Sequence, residues 1–228
     1  MTTTPTTRRR RAKRGSGEQL RAEIVKAAKE LLASSDDASG VSIRSVADAV
    51  GVTSPSIYLH FADKEALLDA VVSDVFEELD HAMVSAAAQV ELPLERLCAF
   101  GLAYVRFAVE HPAHYRLATM DHFALPPASD DVLVHSAFGH LSATVKECMD
   151  SGVFAEGDPT PVAFEMWAAA HGIAALVIAK PYAPWGDVDD FAYRVLRSAA
   201  LGRATADLIG DPDAAEFTAW LARRRKSR

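Results

Sequence analysis

SIRSVADAVGVTSPSIYLHFADKE, residues 42–65, is a helix, a tight turn and a second helix written in 24 residues. Ser42 is a good N-cap, and Ile43, Val46, Ala47 and Val50 follow at i, i+3, i+4 and i+7, the apolar stripe of a short amphipathic helix. Gly51 stands where a helix ends on a left-handed residue. Thr53 or Ser54 caps the second helix, with Pro55 in its first turn, where a missing N–H costs little. Ile57 and Phe61 give that helix an inner face, leaving Ser54, Ser56, Tyr58, Leu59 and His60 to point elsewhere. A helix this short does not stand alone. Its small polar first turn and its aromatic and imidazole second turn suit a DNA groove, small side chains at base edges and longer donors toward phosphate.

The run GVTSPSIYLHFADKEALL (51–68) resembles the helix-turn-helix signature of TetR-family transcriptional regulators. Gly51, Tyr58, His60, Phe61, Lys64 and Leu67 stand at the family's spacing, within a match over roughly residues 18–70. Weaker similarity extends further. YVRFAVEHPAHYRL (104–117) and MWAAAHGIAALV (166–177) resemble the C-terminal domain of the subgroup marked by Trp-x3-His-Gly, here Trp167, His171 and Gly172. The resemblance implies an all-α fold, an N-terminal DNA-binding domain, and a helical ligand-binding and dimerisation domain. It also implies backbone contacts for Tyr58, His60 and Lys64, and a four-helix bundle made by two helices from each subunit.

Net charge is −7, which taken alone argues against nucleic acid. Its distribution reverses that. Residues 1–21 hold seven Lys/Arg against Glu18, residues 223–228 hold five and no acid, and the remainder balances at −18. An acidic body is repelled by DNA, so contact belongs where the basic groups collect. The N-terminal run sits where an arm would follow a groove or the backbone. For the C-terminal run a solvated tail is the plain alternative.

Half the residues are apolar, so the chain is globular, and 228 residues suffice for a sizeable core. No uninterrupted apolar run approaches the ~20 residues of a membrane span, and Arg8–Arg14 do not lead into a signal-like stretch. Cys98 and Cys148 lie on apolar helical faces, not in a disulfide framework. A cytoplasmic location is expected, without membrane contact.

The spacing predicts only helices. Four segments are expected: a basic arm at 1–17, a helix-turn-helix domain at 18–65, a helical ligand-binding and dimerisation domain at 66–210, and a short helix with a basic tail at 211–228. Asp63 caps a long helix whose Leu67, Leu68, Val71, Val72, Val75, Phe76, Leu79 and Met83 form a continuous stripe. Pro93 opens a helix to about Glu110, Pro112 another to about Asp121, and further helices are expected near 132–151, 161–179, 187–208 and 214–224. The apolar helices at 161–179 and 187–208 form the expected homodimer surface.

Lys64 in the first turn of a helix opposes the helix dipole, a cost that a phosphate placed there would reverse. Its plain alternative is a surface lysine compensated by Asp63 and Glu65. Tyr58 and His60 read as further phosphate donors, with His60 alternatively packing on the fourth helix. Base reading is expected from Arg44, Ser54, Pro55, Ser56 and Leu59, with Thr53 at the cap, because Arg grips guanine O6 and N7 and Leu meets a thymine methyl. Arg44 could equally bind phosphate or pair on the surface, and so few long polar groups leave much of the discrimination to DNA shape.

An aromatic set, Phe100, Tyr104, Phe107, Tyr115, Met120, Phe123, Trp167 and His171, with His122 as a further polar group, fits an apolar pocket with few polar anchors. Such stripes are more often plain core, and Trp167, His171 and Gly172 could instead fix helix packing. His111 and His114 with Asp121 and His122 make a poor metal set, since Pro112 breaks the register. Neither cysteine has a basic neighbour that would favour a thiolate. No catalytic motif and no cofactor site is found. The resulting expectation is a homodimeric, ligand-responsive regulator, most naturally a repressor that a small apolar or aromatic effector releases from a palindromic operator. The rivals are a DNA-organising protein without an effector, and a helical ligand-binding protein or enzyme sharing only ancestry.

Overall fold

The computed structural model describes residues 16–34, 41–119, 137–210 and 212–226, and among these every regular element is a helix. They are α1 (Ser16–Ser34), α2 (Ile43–Val50), α3 (Ser54–Tyr58), α4 (Lys64–Ala87), α5 (Pro93–Glu110), α6 (Pro112–Thr119), α7 (Ala137–Asp150), α8 (Pro159–Ala179), α9 (Val188–Ile209) and α10 (Ala214–Lys226). The chain divides into two compact units, Met1–His81 with Phe107–Ala137, and Ala82–Arg106 with Phe138–Arg228.

In the first unit, α1 packs against α2 and α6, and α2 against α3. Ile24, Val25, Ala28 and Leu32 of α1 are buried with Val46, Ala47, Ile57 and Phe61. All eight positions of the stripe expected on α4 are buried, Met83 falling in the second unit. Each such side chain contributes about 1.5–3 kcal/mol, so packing holds this helix more than propensity does. Lys29 ties α1 to α4: it donates to Asp74 and, at 2.6 Å, to Glu78. Burial opposes its charge, yet the two carboxylates prevail and its pKa is raised.

In the second unit α8 packs along α9. Gly101 of α5 meets Leu196 of α9 so closely that a Cβ there would stand 3.0 Å from its side chain. Arg106 pairs with Asp189 at 2.7 Å, Arg96 with Glu147, and Arg203 joins Glu165 at 3.3 Å to Asp207. Asp158 and Asp187 cap α8 and α9 by accepting from the N–H groups of Thr160 and Asp190, both at 2.9 Å.

Two helix ends differ from the sequence reading, those of α3 and α10. α3 stops at Tyr58, although the N–H groups of His60 and Phe61 both donate to Ile57 O and so keep Phe61 on the inner side. α6 is described to Thr119 and α7 from Ala137, and the segment between lies outside the described residues. α10 runs two residues further, to Lys226. A further correction concerns α8, which is long and apolar enough to cross a membrane by length and composition alone, with 39% of its most apolar window buried. Counting uninterrupted apolar runs missed this, because Glu165 and His171 break the run without lowering the average much.

Candidate nucleic-acid interface and aromatic cluster

The turn between α2 and α3 is built by local rules. Ser42 and Ser45 cap each other's backbone: the Ser45 N–H donates to Ser42 Oγ at 3.1 Å and the Ser42 N–H to Ser45 Oγ at 2.9 Å. Gly51 ends α2 at φ 74°, with its N–H on Asp48 O and the Val52 N–H on Ala47 O, so two otherwise orphaned carbonyls are satisfied. Thr53 is the N-cap of α3, but its hydroxyl lies 2.9 Å from Ser56 Oγ instead of bonding a backbone N–H. Asp63 caps α4 by accepting from the Ala66 N–H at 2.8 Å.

This frame sets the candidate DNA-facing residues. Arg44, Thr53, Pro55, Tyr58 and Leu59 are exposed, while Ser54, Ser56, His60 and Lys64 are half-buried. Leu59 is 85% exposed and Tyr58 54%, beside a fully buried Ile57. His60 lies next to Gly17 of α1, whose added Cβ would meet its Cε1 at 4.0 Å, so α1 is a packing neighbour that the sequence reading did not name. Arg21, one of the seven basic residues of 1–21, sits over the Phe61 ring at 4.9 Å. Residues 1–15, which carry the other six and so all the basic groups of the arm, lie outside the described residues.

A second group assembles in the other unit. The Trp167 indole N–H donates to Tyr104 Oη at 3.2 Å, and the same hydroxyl is hydrogen-bonded to His171 Nδ1 at 3.1 Å. Trp167 and His171 lie one turn apart, with rings edge to face at 6.1 Å. Burial alone lowers the pKa of His171 below the ordinary 6.5, which favours the neutral ring. Phe138 and Phe164 complete the cluster, 6.3 and 6.1 Å from the Trp167 ring and 4.6 Å from each other. Sequence reading missed both. Phe164 lies one turn before Trp167 and was legible from spacing, whereas Phe138 arrives on a different helix.

Phe100 is buried in the same unit, but Phe107 and Tyr115 are buried in the first unit, and Met120, Phe123 and His122 lie outside the described residues. Phe107 instead lies 5.0 Å from His111, whose ring stacks on His114 at 5.8 Å. His114 Nε2 is 3.3 Å from Lys29 O, and burial, with the nearby Lys29 and His111, lowers its pKa. Burial pushes the Cys98 thiol up to about 11 and the Cys148 thiol up to about 12, so both stay protonated.

Residues 24–71 match the model of the bacterial regulatory proteins, TetR family, and residues 97–199 match the tetracyclin repressor-like C-terminal domain. Among curated proteins, none matches the chain by sequence. Solved structures share the fold. A protein of unknown function from Rhodococcus sp. RHA1 is 29% identical, with a TM-score of 0.70 over 81% of this chain and 95% of that one. A TetR family transcription regulator from Marinobacter aquaeolei VT8 is 18% identical, TM-score 0.63, covering 82% and 98%. RolR in complex with resorcinol is 20% identical, TM-score 0.61, covering 85% and 96%. The two family models together span well over half of the residues, and the chain belongs to the TetR family of bacterial regulatory proteins, with a TetR-type N-terminal domain followed by a tetracyclin repressor-like C-terminal domain.

Proposed function

We propose that this TetR-family regulator acts as a homodimeric repressor that leaves a palindromic operator when a small apolar or aromatic molecule binds. The observation that carries the reading is the tip of α3, where Leu59 and Tyr58 stand in solvent on a frame held by the caps at Ser42, Gly51 and Asp63. Folding has no use for a leucine that is 85% exposed there; a thymine methyl does. Arg44, Ser54, Pro55 and Ser56 lie beside it as base-edge groups, and Tyr58, His60 and Lys64 as phosphate groups.

The apolar side of α8 left uncovered, Phe164 and Leu176, together with Leu201 and Leu208 of α9, supports self-association through these two helices. Two half-sites then supply the specificity that one five-residue helix lacks. Tyr104, Trp167 and His171, with Phe138 and Phe164, are the effector group in this reading, an aromatic surface around one polar anchor. The Trp-x3-His-Gly subgroup goes with it. RolR is bound to resorcinol, a small aromatic of the class proposed. α4 and α5 each run from one unit into the other, which supplies a covalent route from effector to DNA.

Selection from random duplexes should return an inverted repeat with half-sites about one helical turn apart. Lys64→Ala should weaken binding to all sequences alike and lower the log–log salt slope by about 1. Enrichment of no sequence at all would sink the operator reading in favour of a DNA-organising role.

A further inference from the structure

α10 closes the described chain with AAEFTAWLARRRK, a helix whose ends have different characters. Its start is capped twice: Asp213 Oδ1 accepts from the Ala215 and Glu216 N–H groups, both at 2.8 Å, and the Asp213 N–H donates to Glu216. Phe217 and Trp220 stack at 6.1 Å, and the Arg224 guanidinium lies 5.6 Å from the Trp220 ring centre. Three consecutive arginines, Arg223, Arg224 and Arg225, then stand exposed in the final turns. We infer that this arginine collar is a second DNA-contact element, one that grips the phosphate walls of a duplex groove without reading bases. The inference rests on the DNA-binding reading above and extends it to the opposite end of the sequence.

Three observations favour this partner. At 100° per residue the three arginines fan over about 200° of the helix circumference. Only a concave polyanion meets all three, and a helix about 10–12 Å across fits a major groove about 12 Å wide. A flat anionic bilayer wants cations on one face, opposite the apolar side, yet Arg224 sits over Trp220, on the side that would have to enter the lipid. Nor does an acidic side chain of the unit reach the collar. Glu95, Glu147, Asp150, Glu165, Asp189 and Asp207 hold ion pairs with other residues, and Arg223 and Arg225 have none among the described residues. Compensation of the helix dipole needs one or two cations, not the five basic residues found in 223–228.

The test uses the full chain and a mixed-sequence 30-base-pair duplex, titrated with salt. Arg223→Ala/Arg225→Ala should lower the slope of log K against log salt by about 2, since each phosphate contact contributes about 0.9. Arg223→Lys/Arg225→Lys should keep the slope. Lys180→Ala/Arg194→Ala removes the same charge from exposed positions outside the collar and should leave it unchanged. An unchanged slope in the collar alanine variant, or an equal fall in the charge-matched control, overturns the inference. Lys64→Ala run alongside separates the failures: a fall there with none at the collar leaves the regulator reading intact, and no fall at either removes both. Arginine-dependent sedimentation with phosphatidylglycerol vesicles, with DNA binding unaltered, would reassign α10 to lipid.

Discussion

At the scale of single residues, Tyr104 is the best example of a polar group whose role depends on two others. Its hydroxyl takes the Trp167 N–H and holds His171, so Tyr104→Phe leaves an indole donor without its partner. A loss of about 1–3 kcal/mol in unfolding free energy is expected, read by denaturant titration. Effector affinity should fall too. The two shifted histidines predict a pH dependence. Their folded pKa values lie below the unfolded 6.5, so the unfolded chain takes up protons first. Their contribution to stability is therefore complete above about pH 6.5 and is lost as pH falls through the folded values. Thermal melts from pH 7.5 to 5 should show the loss, and His114→Gln with His171→Gln should flatten it. Arg44→Ala should cost about 1–3 kcal/mol at one operator position if its guanidinium reads guanine, and the same at every position if it touches phosphate. Trp167 and His171 were legible in the sequence because one turn separates them. Tyr104 was legible as an aromatic with a polar group on another helix, but not its partners, since a hydrogen bond across 63 residues has no local signature.

Among elements, α2 and the turn after it were the most legible. Their caps are local events, encoded by Ser42, Gly51 and Asp63 within a few residues of where they act. Gly51→Ala tests how much the turn depends on backbone conformation alone. Nothing stands within 4 Å of the new Cβ, so the expected loss of about 1–2 kcal/mol comes from φ 74° and not from a clash. Gly51→Asn should recover part of it, because Asn tolerates the left-handed region, and chemical denaturation of both variants would check the difference. The length of α3 was less legible. Ile57 and Phe61 keep a helical spacing, but Phe61 reaches the core through a turn after Tyr58, and spacing does not distinguish the two routes. The tie between Lys29 and α4 was invisible for a different reason: a lysine on an amphipathic helix ordinarily points to water, and only the approach of Asp74 and Glu78 turns it inward.

For the whole molecule, charge told more than composition. The total of −7 hides basic ends on an acidic body, and in the second unit Glu95, Glu147, Asp150, Glu165, Asp189 and Asp207 are tied to arginines and lysines. The uncovered apolar face of α8 and α9 predicts self-association. Leu176→Arg should convert a dimer into monomers by sedimentation velocity, with near-unchanged helicity, because Leu176 is 53% exposed and contributes little to the fold of its own chain. A dimer that survives the substitution would move the interface elsewhere. Composition does not decide the role of α8, because an apolar helix that pairs with a second subunit and one that spans a bilayer have similar composition.

The chain's two cysteines are both buried and held as thiols, which leaves its outer surface silent toward maleimides and disulfide reagents at neutral pH. A single cysteine placed at the exposed Glu77 or Glu156 would then be the sole site to take a dye or spin label, with no native residue to be removed first. Distances between such probes in the free, DNA-bound and effector-bound protein would be measured on an otherwise unaltered sequence.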